Sequence, residues 1–152
     1  MRVAIGSDHA GYALKERLCR ELERLAHEVV DLGTHAAAPP VDYPDFIFPV
    51  AEMVARGDGG ARGGARGQRH RRGDRRQQGG RVRAAVVTSD QTARLTRMHN
   101  DSNVLALGGR TNDPRIDARW LSIWLETPFE GGRHVARLRK IAEYESAHLL
   151  RR

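Results

Sequence analysis

Val3-Ala4-Ile5-Gly6-Ser7-Asp8-His9-Ala10-Gly11 is the stretch on which the reading of this chain turns. Val3 to Ile5 form a short apolar, strand-like run that opens onto Gly6 and Ser7. An acid and an imidazole follow at Asp8 and His9, and Leu14-Lys15-Glu16-Arg17-Leu18 then begins a helical pattern. The order is strand, tight turn, helix N-terminus. In an open α/β sheet, ligands sit at the carboxyl ends of strands, close to the positive end of a helix dipole. Asp8 and His9 fall at that place. The residues alone support two readings equally: a site pair, or a helix-capping Asp8 beside a solvated loop His9.

Working outward, Leu14, Leu18, Leu22 and Leu25 recur at helical spacing with charged residues between them, which predicts an amphipathic helix. Glu28-Val29-Val30-Asp31-Leu32-Gly33 reads as a second strand ending in a glycine turn. The order β-α-β predicts an α/β fold with a parallel sheet and a right-handed crossover. His35 to Pro40 is a loop, and Asp42-Tyr43-Pro44-Asp45 follows it. The Tyr43-Pro44 step disfavours helix at Tyr43 and predicts a turn that presents the phenol outward. Phe46 to Arg56 is a predicted helix.

Ordinary patterning returns at Arg83, with a strand at Ala84 to Val87 and a helix over Asp90 to Met98. His99 to Asn103 reads as a polar turn, and Val104 to Leu107 as a strand closing on Gly108-Gly109-Arg110. Asp117 to Thr127 is a predicted helix carrying Trp120 and Trp124. After a loop over Pro128 to Gly132, Arg133 to Leu149 reads as a last helix with Val135, Leu138, Ile141 and Tyr144 as its apolar stripe.

Between these halves the character changes. Residues 57–83 hold nine of the 16 glycines and nine arginines but only one branched aliphatic, Val82. With nothing to bury, the segment is expected to be disordered. It also holds the chain's entire charge excess: its nine arginines face only Asp58 and Asp74, which accounts for the formal +7. The remainder is neutral, so the basic pI belongs to one segment rather than to the fold. The segment has no Phe, Tyr or Trp on which bases could stack, which counts against a single-strand nucleic-acid arm. A non-catalytic protein binding phosphosugars or nucleic acid through a flexible basic arm is nevertheless the competing reading.

The 152 residues amount to one domain, large enough for a sizeable core. No apolar run is long enough to span a bilayer and no N-terminal signal pattern is present, so a cytoplasmic protein without membrane partners is expected. The single cysteine, Cys19, supports no disulfide framework and reads as a packed helix residue.

Three polar clusters carry the chemistry. Asp8-His9 is the first, His99-Asn100 the second, and Arg133-His134 with Arg137 the third; Arg110, after two glycines at a strand end, is a candidate to join them. Arginines at i and i+4 share one helical face. Guanidinium groups suit a phosphate dianion because they give bidentate, charge-assisted bonds, and imidazoles supply acid and base near neutral pH. No metal site is expected, because His9, His99 and His134 lie far apart in sequence without neighbours at ligand spacing.

In this order the clusters resemble the type B ribose-5-phosphate isomerases and their galactose-6-phosphate isomerase relatives. GSDHAG at 6–11, VDYPD at 41–45, RMHNDSN at 97–103, LGGR at 107–110 and TPFEGGRHVARLRKIAEYE at 127–145 carry the resemblance. It implies a Rossmann-like, three-layer α/β/α fold with a mostly parallel sheet. It further implies a homodimer, or a dimer of dimers, with the active site at the subunit interface. The implied reaction interconverts ribose 5-phosphate and ribulose 5-phosphate through an enediolate, without a cofactor. By the same resemblance, Asp8 and His9 contact the sugar and assist proton movement, Tyr43 lines the pocket, and His99 protonates the ring oxygen. Asn100 would bind the enediolate, and Arg133 and Arg137, with Arg110 and His134, would hold the phosphate.

One block departs from that pattern. Where the family has a buried strand, a Gly-Ser/Thr-Gly anion loop and a following helix, residues 57–83 are Arg and Gly. That block supplies the oxyanion donors and the catalytic base in the family, a cysteine before the loop or a glutamate just after it. The chain has 24 arginines to two lysines, as GC-rich coding DNA produces. Back-translating residues 64–81 and shifting the frame by one base permits VLVGSGIGEAIAANKVAG, with glutamate rather than cysteine as the available base. Two compensating one-base slips would produce the segment as it stands.

Overall fold

The computed structural model describes residues 1–58 and 82–148. Its elements run β1 (Arg2–Ile5), α1 (Tyr12–Arg24), β2 (Glu28–Asp31), α2 (Pro44–Arg56), β3 (Ala84–Val86), α3 (Asp90–Asn100), β4 (Val104–Ala106), α4 (Pro114–Glu126) and α5 (Arg133–His148). β1 pairs with β2 in parallel from Arg2↔Glu28 to Ile5↔Asp31, and β3 pairs with β4 in parallel from Ala84↔Val104 to Val86↔Ala106. The parallel pairs and the helices that connect them form a Rossmann-like α/β fold. The expected loss of a strand and anion loop within 57–83 falls almost wholly outside the described residues.

Side-chain alternation along β1 decides which helix covers which face. Val3 is buried with Leu14, Leu18 and Leu22 of α1 and Leu121 of α4, with Ile5, Leu105 and Leu107 packed against them. Gly6 has the opposite parity and meets α2: a Cβ there would lie 2.8 Å from Phe46 O and 2.9 Å from Val50 Cγ2. So α1 and α4 cover one face of β1, and α2 covers the other. A second cluster, Val87, Ala93, Trp120 and Trp124, joins α3 and α4 beneath β3 and β4. Among the described residues, no helix is long and apolar enough to cross a membrane.

Two boundaries differ from expectation. Tyr43 sits in the right-handed helical region (φ −60°, ψ −31°) despite the following proline, as the cap residue of α2, whose first position is Pro44. The ring of Pro44 fits that first turn, where no N–H is needed, so the steric bias against helix at Tyr43 is overcome. Tyr43 is nonetheless exposed, as expected. The second difference matters more for function. α3 does not stop at Met98 but continues through His99 and Asn100, ending where Asp101 turns left-handed (φ 44°, ψ 46°).

A buried polar knot fixes that end. Arg97, only 2 % exposed, donates from Nη1 to Ser102 O at 2.6 Å and to Asp101 Oδ1 at 3.1 Å, and its guanidinium lies 5.3 Å from the Trp124 ring centroid. Arg83 reaches the other side of Asp101, from Nη2 to Oδ2 at 2.7 Å. Trp124 Nε1 donates to Ser102 Oγ at 2.8 Å. Arg97 Nη1, the Ser102 carbonyl and Trp124 Nε1 are thereby hydrogen-bonded, as buried polar groups require, while Arg97 Nε is buried without a partner among the described residues.

Candidate active site

Asp8 and His9 occupy the turn after β1. Asp8 Oδ1 accepts from the backbone N–H of Ala10 and Gly11, each at 3.0 Å, which folds the turn tightly into α1. One carboxylate oxygen of Asp8 thus orders the turn, although the cap residue of α1 is Gly11. His9 is fixed from a distant segment. Its Nδ1 hydrogen-bonds to the backbone of Val41, 3.1 Å from the amide nitrogen and 3.2 Å from the carbonyl oxygen. The same bond draws the segment leading to Tyr43 against the Asp8 turn.

The loop after β4 closes on this place too. A Cβ on Gly109 would lie 2.7 Å from Gly11 Cα and 3.0 Å from Ala10 O, a backbone approach that only glycine allows. Arg110 follows and is exposed. Asp8, His9, Tyr43 and Arg110 therefore belong to one neighbourhood at the carboxyl ends of β1 and β4.

Behind them lies an ion pair that sequence reading passed over. Lys15 is 2 % exposed, and its Nζ bonds to Asp31 Oδ2 at the end of β2 and to Glu16 Oε1 at 3.0 Å. Burial pulls the Lys15 pKa down, but the bonds to Asp31 and Glu16 outweigh it and leave the ammonium above its ordinary value. Cys19, on the same helix, is pushed up to about 11, first by burial and then by Asp31. It is a packed thiol, not a nucleophile.

The second neighbourhood is built by α3 and α5. His99 and His134 stack with ring centroids 4.3 Å apart and planes 10° from parallel. His134 is buried, and Arg133 Nε donates to its Nε2 at 3.4 Å. Its pKa is held below the ordinary imidazole value, chiefly by burial and next by the neighbouring His99. Glu130 Oε2 lies 3.6 Å from the Nε2 of each histidine. A cleft of about 270 Å³ opens beside the stack, lined by His99, Asn100, His134 and Arg137 with Thr96 and Leu138.

This arrangement corrects the ground on which a metal site was discounted. His99 and His134, far apart in sequence, meet in space, and with Glu130 they form a group whose ligand atoms lie within 4.8 Å of one another. The near-parallel rings and the Arg133 and Arg137 charges still disfavour a cation. A metal bound in the plane of one imidazole would lie well out of the plane of the other.

The two neighbourhoods stand at opposite ends of β4. Asn100 precedes that strand and Gly109 follows it. The run between Asn103 and Gly108 spans roughly 16 Å at strand rise. Among the described residues, no hydrogen bond or ion pair joins the Asp8 turn to the His99–His134 stack. A single chain thus carries two candidate half-sites, one with acid, imidazole and phenol, the other with imidazoles, amide and guanidinium.

The family described as Ribose/Galactose Isomerase matches residues 3–141. The chain is 34% identical over 152 residues to ribose-5-phosphate isomerase B of Mycobacterium tuberculosis, covering 97% of this chain and 92% of that protein. Among solved structures, ribose-5-phosphate isomerase B of Clostridium thermocellum superposes with a TM-score of 0.79 at 36% identity, over 97% of this chain and 99% of that one. Ribose-5-phosphate isomerase B of Mycoplasma genitalium, solved with bound ribulose-5-phosphate, gives 0.78 at 34% identity over 95% and 96%. The chain belongs to the ribose/galactose isomerase family.

Proposed function

We propose that this family member is a sugar-phosphate isomerase whose substrate pair is ribose 5-phosphate and ribulose 5-phosphate. The observation that carries the reading is the cleft between α3 and α5, where His99, Asn100, His134 and Arg137 converge. That set offers an acid for the ring oxygen, an amide for a developing oxyanion and a guanidinium for a phosphate. In the proposed reaction Arg133 and Arg137, with Arg110 and His134, hold the phosphate dianion. His99 protonates the ring oxygen to open the furanose. Asp8 and His9 bind the sugar hydroxyls and assist proton movement, Tyr43 lines the pocket, and Asn100 binds the enediolate formed when the C2 proton leaves.

The separation of the half-sites supports an arrangement in trans. Two copies related by a two-fold axis can bring the Asp8 turn of one against the His99 stack of the other, twice. Val135, Ile141 and Tyr144 of the apolar stripe of α5 are exposed in the single chain, and the partner copy is the surface they suit. The homodimer is the minimal active unit on this reading.

The block that supplies the base and the oxyanion donors in the family is replaced here by residues 57–83. Loss of a single oxyanion donor lowers turnover by about 10²–10³. The chain as written is therefore expected to isomerise sugar phosphates slowly or not at all. A chain with VLVGSGIGEAIAANKVAG at 64–81 should regain activity. Conversion of ribose 5-phosphate, measured on both, tests this. Equal turnover by the two overturns the account of the segment, and no turnover by either overturns the functional reading.

A further inference from the structure

The acidic side chain in the second half-site, Glu130, has no part in the reaction as described above. Its carboxylate oxygen is equidistant, at 3.6 Å, from the Nε2 atoms of His99 and His134. That is beyond a hydrogen bond, but it is close enough for an ion pair with whichever ring carries a proton. Its place is set by the backbone: Glu130 N–H donates to Met98 O at 3.0 Å, which ties the loop after α4 to the last turn of α3.

Charging both of two stacked imidazoles 4.3 Å apart is costly, so at most one of them carries an extra proton. His134 is the poorer host. It is buried, and its Nε2 lone pair already receives Arg133 Nε–H, so protonation there would displace an arginine. The side chain of His99 is 34 % exposed and no arginine donates to its ring among the described residues, which leaves its Nε2 open to Glu130. The charged and titratable groups around the stack are Glu130 from the loop and Arg133, His134 and Arg137 from α5. Arg94 and Glu126 line a second cleft together with Glu130. The three nearest α5 groups oppose a proton on His99, and Glu130 is the group in contact that favours it.

We propose that Glu130 is a positioning residue that keeps the His99 imidazole protonated, with neutral His134 as the platform it stacks on. This rests on His99 as the ring-opening acid, an assignment made under the proposed function. The inference is tested on the intact chain by following the His99 and His134 Cε1 protons by NMR as pH is varied, so that no turnover is needed. In Glu130→Gln, the His99 midpoint should fall by about 0.5–1 pH unit, the range expected for removing a partly exposed opposite charge. Glu130→Asp withdraws the carboxylate by one methylene without removing it and should give a smaller fall. It also serves as the control if the Gln variant folds poorly.

In the chain with residues 64–81 restored, kcat should decline towards high pH at a correspondingly lower midpoint in Glu130→Gln, with KM unchanged. An unmoved His99 midpoint in both variants overturns the proposal, as does a fall at His134 in place of His99. The expected NMR shift in a chain that never isomerises ribose 5-phosphate leaves the Glu130–His99 coupling standing and counts against the functional reading alone.

Discussion

Arg97→Ala should be among the most damaging substitutions outside the half-sites. Arg97 sits where α3 ends, with its guanidinium on Ser102 O and Asp101 and beside the Trp124 ring. Removing one partner of a buried ion pair costs about 3–5 kcal/mol. Here Asp101 keeps Arg83 at 2.7 Å and is 24% exposed, so its share of that penalty is small. The larger part is the orphaned Ser102 carbonyl, about 1–3 kcal/mol, and the void beside Trp124, about 2 kcal/mol or more. A total of about 4 kcal/mol is expected for Arg97→Ala, a fall in Tm of about 10 °C at this chain length. Arg97→Met fills the void and leaves only the polar loss, about 2 kcal/mol. Urea unfolding followed by tryptophan fluorescence measures both, since Trp124 is itself in contact with the substituted side chain. An Arg97→Ala chain within about 1 kcal/mol of the parent would refute this account of the knot. A methionine variant as unstable as the alanine one would show that the void contributes nothing.

Two smaller outcomes follow from close approaches and burial. Gly33→Ala places a Cβ 2.6 Å from Lys15 Cδ and 2.8 Å from the backbone nitrogen of Ser7, and the latter has no freedom to move aside. A loss of about 1–3 kcal/mol is expected in thermal unfolding, and an unchanged Tm would show that the β1–β2 ends are looser than described. With its pKa near 11, Cys19 should react with a thiol reagent at mildly alkaline pH about a hundredfold more slowly in the native chain than in guanidinium chloride. Equal rates would mean that α1 is not packed as described.

The fold was largely legible because its punctuation is local. Glycines close the strands, leucines repeat at helical spacing in α1, and the strand–turn–helix order around Asp8 is written in consecutive residues. Sequence alone places His99 in a turn, because the end of α3 is decided elsewhere, by Arg83 and Trp124 gripping Asp101 and Ser102 from other elements. The pairing of His99 with His134 has no signal within a window of sequence, and Glu130 looked like a loop residue among glycines. The apolar stripe of α5 was visible, but periodicity tells that a face is apolar, not what it meets. Val135, Ile141 and Tyr144 lie exposed in a single chain. In sequence Lys15 is one more charge on an amphipathic helix, whereas its place opposite the end of β2 buries it against Asp31.

That lysine has a meaning for what the fold can host. Among proteins built on this plan, an acid at the end of the second strand is where a dinucleotide's ribose is clasped by its hydroxyls. Asp31 stands at that position, but Lys15 Nζ holds one of its oxygens and the Gly33 N–H holds the other at 2.9 Å. The seat is filled from inside by the chain's own cation. What could have been a grip for an exchangeable nucleotide is a rivet between helix and sheet, and any ligand at this edge is left to the neighbouring strand end, at Asp8, where the sugar is proposed to bind.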